Sequence, residues 1–416
     1  MNKLTKIVTI VLAVVMIFSA VACAAPAATE APAQATSPAG SQATQQPAAT
    51  EVPAQATTAP AAPADQKPVK IAVAGPMTGD NSEYGIGFFN AVTLMAEQWN
   101  AKGGINGRKI EVVQFDDKNS PEEAVSVANK IVSEKDIPFI IGHFASGVSM
   151  AAAPIYQANK IIEISPSASH PDYSSIGDYI FRNNTVIKYE TQASLDIAVN
   201  DMGKKNIGII SIKTDWGVST SKIATELIAG MADKGVKLVA HEEVIEGSDD
   251  YRPAITKLND AGADVVLCVG MYGLVAPVAK QYKEINPNIS IIAFSNAYSQ
   301  QLLELGGDAV NGVAFPVVFF SVSSDPNIQA FVKSYTDKFG SAPSALTAQA
   351  YDSAGILFTA AQKVGTDDPA KLRDEVNSMT YPGVTGSTHF DQNGDVQKPF
   401  TKVEVKDGKF VLMGSK

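Results

Sequence analysis

Apolar and polar positions come in blocks along most of the chain, and the block at 137–171 shows the plan. The run Ile137-Pro138-Phe139-Ile140-Ile141 stops at Gly142-His143, a polar turn Phe144-Ala145-Ser146-Gly147 follows, and helix-compatible residues run over about 148–159. Ile161-Ile162-Glu163-Ile164 then rises into a second polar turn, Ser165-Pro166-Ser167-Ala168-Ser169. A short β-branched run bounded by turn signals marks a buried parallel strand, and a helical crossover of this length joins two such strands side by side. The pattern therefore predicts strand, turn, helix, strand, turn, with both serine-bearing turns at the carboxyl ends of their strands. Ligands of open α/β sheets bind at that edge. Serine hydroxyls and free backbone N–H groups there suit the carboxylate or another acceptor end of a small polar ligand. The same residues are also common in plain connecting turns.

The block recurs on both sides. Residues 69–74 form an apolar strand, and glycines 75, 79 and 85 are expected to hold the following loop open towards a ligand. The next helix places Phe89, Val92, Ala96 and Trp99 on one face, so Trp99 is assigned to the core. After the turn Lys102-Gly103-Gly104-Ile105-Asn106-Gly107, residues 109–115 are a strand ending at Asp116-Asp117, which reads as a turn with helix capping rather than a metal site. Ser120-Pro121-Glu122-Glu123 is a helix start, with Ser120 as cap and Glu123 completing a capping box. Farther on, strands are expected at 207–212, 236–241 and 289–294, with helices at 218–234 and 253–260. A further strand contains Cys268 and ends at Gly270-Met271-Tyr272-Gly273, while 289–294 ends at Ser295-Asn296-Ala297. The fold class is α/β, in two lobes of the same plan.

Composition narrows the function. The chain has 416 residues with a formal net charge of −10 and no basic cluster, which argues against a nucleic-acid partner. Its two cysteines, Cys23 and Cys268, make neither a zinc site nor a disulfide framework, and the four histidines lack ligand spacing. No metal or cofactor is expected. Lys3 and Lys6 precede an apolar core at 7–18 and the small residues Ser19-Ala20-Val21-Ala22, a secretory leader too short to span a bilayer comfortably. Its end, Ala20-Val21-Ala22-Cys23, resembles a bacterial lipoprotein processing site, with Ala20 where Leu is usual. That resemblance implies a signal peptide at 1–22, lipidation of Cys23, and an extracytoplasmic protein anchored to the membrane. An uncleaved anchor or plain secretion is the competing reading. Residues 23–67 are almost wholly Ala, Pro, Thr, Gln and Ser and are expected to form a disordered linker.

Several motifs now combine. Met77-Thr78-Gly79 with Tyr84-Gly85, Asn100-Ala101-Lys102-Gly103-Gly104-Ile105-Asn106-Gly107, Asp116-Asp117, Ile141-Gly142-His143 and Ile164-Ser165-Pro166-Ser167-Ala168 resemble, in order and spacing, the substrate-binding proteins of branched-chain amino-acid ABC transporters. The resemblance covers roughly 68–416 and implies a two-lobed periplasmic-binding-protein (Venus flytrap) fold with three hinge crossings. These fall near Asn184, Phe319 and Val384, so 68–184 plus 320–384 would form lobe one and 185–319 plus 385–416 lobe two. It also implies a monomer that hands a small amino acid to membrane permease and ATPase subunits.

Carried over position by position, the resemblance puts Ser146, with backbone contact at Ala145, on the ligand carboxylate. Ser167, Ala168 and Ser169 form the second carboxylate and ammonium turn. Tyr84 lines the cleft from the first loop, Trp216 closes over the ligand's apolar part, and Met271 or Tyr272 fills another aromatic position. Asn296 stands where amino-acid binders often carry a carboxylate for the ligand ammonium; an amide accepts a hydrogen bond but brings no charge. An amide or short carboxylic acid therefore stays open as ligand beside a zwitterionic amino acid, and a sensory ligand-binding domain stays open as a role. A Ser146 nucleophile with His143 is disfavoured, since Phe144-Ala145-Ser146-Gly147-Val148 lacks the Gly-x-Ser-x-Gly elbow.

Overall fold

The computed structural model describes residues 67–414, so the expected leader, Cys23 and the linker before Lys67 lie outside the described residues. Five strands, β1 (Val69–Gly75), β2 (Ile110–Asp116), β3 (Phe139–Ile141), β4 (Ile162–Ser165) and β5 (Ile180–Arg182), form an all-parallel sheet in the order β2-β1-β3-β4-β5. Ile71, Val73, Ile141, Ile162 and Ile164 are fully buried in it, which is why these strands read as continuous apolar runs rather than alternating ones. The helices that join them are α1 (Ser82–Asn100), α2 (Pro121–Glu134) and α3 (Ser146–Asn159).

The chain then enters a second sheet through α4 (Ile187–Asp196). Strands β6 (Asn206–Ile212), β7 (Lys237–Val244), β8 (Val265–Val269), β9 (Ser290–Ala293) and β10 (Ala314–Val317) repeat the first sheet's order as β10-β9-β8-β6-β7, all parallel. They are joined by α5 (Asp215–Ala229), α6 (Arg252–Asp260), α7 (Tyr272–Ile285) and α8 (Gln300–Gly306). Both sheets thus reverse direction between their first and third strands, β1 and β3 in one, β6 and β8 in the other. A crevice opens above such a switch point, at the carboxyl ends of the strands.

The chain leaves β10 for α9 (Pro326–Phe339), α10 (Ala345–Val364) and α11 (Pro369–Ser378), of which α10 packs along α1. A hairpin of β11 (Tyr381–Gly383) and β12 (Gly386–Thr388) follows. The segment after it stays beside the first sheet: Phe390 packs on Phe181, and Arg182, fully buried, donates to Asp395 at 2.5 Å. Val396 then pairs with Thr185, and the chain joins the second sheet as antiparallel β13 (Thr401–Lys406) and β14 (Lys409–Leu412). The connecting segments are tied together at one place. Lys398 Nζ donates to Asn183 Oδ1 (2.7 Å) and Thr385 Oγ1 (2.5 Å), and the Val384 and Thr385 amides donate to the Asp352 carboxylate (2.9 and 2.8 Å). Burial pushes the Lys398 ammonium down to about 8, against the opposing pull of Asp352.

Two local expectations are corrected. Ser120 does cap α2, accepting from the Glu123 amide at 3.3 Å, but the box stays half-made: Glu123 turns to Lys118 (2.9 Å) and the Ser120 amide donates to Asp117 O instead. Among the loop glycines Gly85 serves packing, since a Cβ there would lie 2.1 Å from Pro76 O, whereas Gly79 stands at a φ of +83° with open space around it. Trp99, partly buried, packs against the core as expected, its ring meeting Phe358 edge-on at 5.9 Å. Cys268 is fully buried and free, as an apolar strand residue should be. No helix among the described residues is long and apolar enough to cross a membrane.

Candidate functional site

A cavity of about 280 Å³ lies where the carboxyl ends of the two sheets face each other. That is at the small end of ligand pockets, which run ~300–1,000 Å³. From the first sheet come the β3 to α3 turn (Phe144, Ala145, Ser146, Gly147), the turn after β4 (Ser167, Ser169) and Asn119 with Pro121 before α2. From the second come Thr214, Asp215 and Trp216 at the start of α5, Glu246 after β7, Met271 before α7, and Ser295 with Asn296 after β9. Val148 of α3, Asn184 after β5, Glu190 of α4, Ile212 of β6 and Leu346 of α10 complete its wall.

The two serine turns are knitted together by hydrogen bonds. Ser146 Oγ accepts from the Ser169 and His170 amides (3.2 and 3.3 Å), and Ser167 Oγ donates to Phe144 O at 2.7 Å. Below them Ser165 Oγ accepts the Ala168 amide (2.9 Å) and donates to His143 O (3.0 Å). A Cβ on Gly142 would sit 2.2 Å from Ala74 O at a φ of +149°, so only glycine lets β3 end against β1 here. His143 faces away from Ser146: its ring nitrogens meet Asp117 Oδ2 (2.6 Å) and Tyr156 OH (3.1 Å), all three residues buried. Asp116, read as a turn residue, accepts from the Met77 and Lys118 amides (both 2.9 Å) and the Thr78 hydroxyl (2.7 Å).

Contacts across the cleft are specific. Trp216 Nε1 donates to Ser169 Oγ at 3.0 Å while its ring meets Phe294 edge-on at 5.8 Å. Tyr84 OH donates to Asn296 O (2.7 Å), and Tyr272 OH donates to Asp80 O (3.0 Å). Tyr84 also stacks on Phe144 at 4.1 Å and on Tyr272 at 5.6 Å. Gly147 lets Asp215 approach closely, since a Cβ there would lie 2.4 Å from Asp215 Oδ2 and the carboxylate would have to turn away.

Of the residues expected at the site, Ala145, Ser146, Ser167, Ser169, Trp216, Met271 and Asn296 line the cavity together. Tyr84, Ala168 and Tyr272 lie outside its wall: Ala168 is wholly buried in the core beside α3, and the two tyrosines make the cross-cleft contacts beside the cavity. Between Met271 and Tyr272, the wall residue is Met271, since Tyr272 already begins α7.

Sequence reasoning missed two acids. Glu190 is 2% exposed and accepts from the Ser295 amide at 2.5 Å; burial pushes its carboxyl up to about 7. Glu246 is likewise pushed up to about 7 by burial, with the Met271 amide pulling the other way. Glu190 sits in a polar helix start, Ile187-Lys188-Tyr189-Glu190, and Glu246 ends the run Glu242-Glu243-Val244-Ile245-Glu246. In one dimension both look like solvated surface, and no signal in the sequence separates them from it.

A family model described as periplasmic binding protein matches residues 68–409. The leucine-, isoleucine-, valine-, threonine- and alanine-binding protein of Pseudomonas aeruginosa is 29% identical over 352 residues, 81% of this chain and 92% of its own. A leucine binding protein from Thermotoga maritima has a similar structure, with a TM-score of 0.77 at 26% identity, over 83% of this chain and 98% of that one. A solute binding protein from Rhodopseudomonas palustris, solved with benzoate, shares the fold at a TM-score of 0.76 and 20% identity, over 83% of this chain and 96% of that one.

Proposed function

We propose, from the premise that this chain belongs to the periplasmic binding protein family, that it captures a small amino acid of the branched-chain type between two closing lobes and hands it to an ABC importer. The observation that carries this reading is the cavity itself, walled by the strand ends of both sheets, with serine turns on one side and Trp216, Met271 and Asn296 on the other. Residues 68–184 with 320–384 form one lobe in this reading, and 185–319 with 385–416 the other. Ser146, Ala145, Ser167 and Ser169 receive the ligand's acceptor-rich end through the donors they share with one another. Trp216 and Met271, with Phe144, Ile212 and Leu346, cover its aliphatic part.

Binding without chemistry is supported by Ser146 Oγ, which is occupied as an acceptor of two backbone amides while His143 is engaged elsewhere. A lipid anchor on Cys23 and permease and ATPase partners follow from the leader and from the family. The test is calorimetric titration of protein stripped by unfolding and refolding, against the common amino acids, amides and short organic acids. A ligand at 100 times its Kd stabilises the folded state by about 2.7 kcal/mol, which a melting curve resolves. A panel that produces neither heat nor a shift overturns the reading.

A further inference from the structure

Three carboxylates line the cavity, Glu190, Asp215 and Glu246, and among the described residues no Lys, Arg or His does. Two of them are buried without a cation. Glu190, almost wholly buried, is held by the amide and the hydroxyl of Ser295. Glu246 Oε1 is buried without a hydrogen-bond partner, and so is Asn296 Oδ1. Acceptors buried in this way cost free energy until a donor reaches them, and the cost is greatest for an ionised group. No cation of the cavity wall reaches either acid: Asp80, from the loop after β1, adds a negative charge beside Glu246, the Met271 amide is the donor that faces Glu246, and Ser295 gives Glu190 its amide and its hydroxyl. The remaining wall near them is apolar, with Ile212, Trp216 and Met271.

We infer that the cavity selects a ligand bearing an ammonium, seated between Glu190, Glu246 and Asn296, and rejects solutes whose only charge is negative. The inference rests on the capture reading above. It also accounts for Asn296: the charge that an acid there would supply comes from Glu246 and Glu190, on neighbouring elements, and the amide oxygen adds a neutral acceptor. A carboxylate without an ammonium would bring a fourth negative charge into a wall of three. A ligand with an ammonium and no carboxylate gives up only the serine-turn contacts, which those groups already make among themselves.

The experiment is a calorimetric titration at pH 7.5 with four compounds on each aliphatic frame of valine, leucine and isoleucine: the amino acid, its amide, the amine without a carboxylate and the acid without an amine. The expected result is that the acid binds at least 100-fold more weakly than its amino acid, while the amide or amine keeps measurable affinity. Glu246→Gln and Glu190→Gln, which preserve shape, should each weaken the ammonium-bearing compounds about tenfold or more without weakening the acid. Should either variant fail to fold, the comparison on the wild-type protein decides alone. An acid that binds within tenfold of its amino acid overturns the inference and leaves solute capture standing, as do Gln variants that weaken acid and amine alike. If none of the compounds binds, the capture of branched-chain amino acids falls, and the inference falls with it.

Discussion

Glu83, Glu190 and Glu246 share an unusual condition: burial pushes each up to about 7 from an ordinary 4.5. Glu83 faces Ser299 and Glu304, Glu190 faces Ser295, and Glu246 faces Asp80 and the Met271 amide. Between pH 4.5 and 7 the folded chain therefore holds protons that the unfolded chain has released. Stability from these groups is full below the lower value and is lost as pH rises through the upper one. The melting temperature of ligand-free protein should accordingly fall from pH 5 to pH 8, and Glu190→Gln should flatten the fall. A flat profile in the wild-type protein, measured by scanning calorimetry, would show that these acids are solvated.

At the scale of the element, patterning was informative where burial is two-sided. The strands at 69–75 and 265–269 announce themselves because β1 and β8 are covered on both faces, and the turns that follow them carry their polar residues at the edge where ligands sit. Helix α3 was legible too, although it begins at Ser146 rather than two residues later. The acids were not legible, because Glu190 and Glu246 become cavity residues only when α4 and the β7 to α6 turn are placed against β9 and α7. The capping of α2 was half legible: Ser120 is read correctly, whereas Glu123 had a better partner in Lys118, whose charge a backbone amide cannot match. Ser120→Ala should thus cost about 1 kcal/mol in urea unfolding. Glu123→Gln should stay within about 0.5 kcal/mol, since only an exposed ion pair is lost. Equal costs would restore the complete box.

Over the whole molecule, the lobes touch through few directional bonds. Tyr84 to Asn296 O and Tyr272 to Asp80 O each span the cleft beside the cavity, so an effect on closure is expected of them. Each bond is worth about 1 kcal/mol net. The double variant Tyr84→Phe with Tyr272→Phe should therefore weaken ligand binding about tenfold and shift the ligand-free protein towards a more open form in small-angle scattering. The ranking of the compound series should stay the same. A changed ranking would mean that the hydroxyls meet the ligand directly. The segments around Asp352, Thr385 and Lys398 bring three stretches of chain together through buried polar bonds.

The position of Trp216 has an optical consequence. The chain has two tryptophans. Trp99 lies against Phe358, between α1 and α10, and is not part of the cavity wall. Trp216 has its indole nitrogen on Ser169 across the cleft and its ring in the cavity wall. Any change in tryptophan emission on adding a solute is therefore expected from Trp216. The protein carries its own fluorescent gauge of occupancy, read without a label.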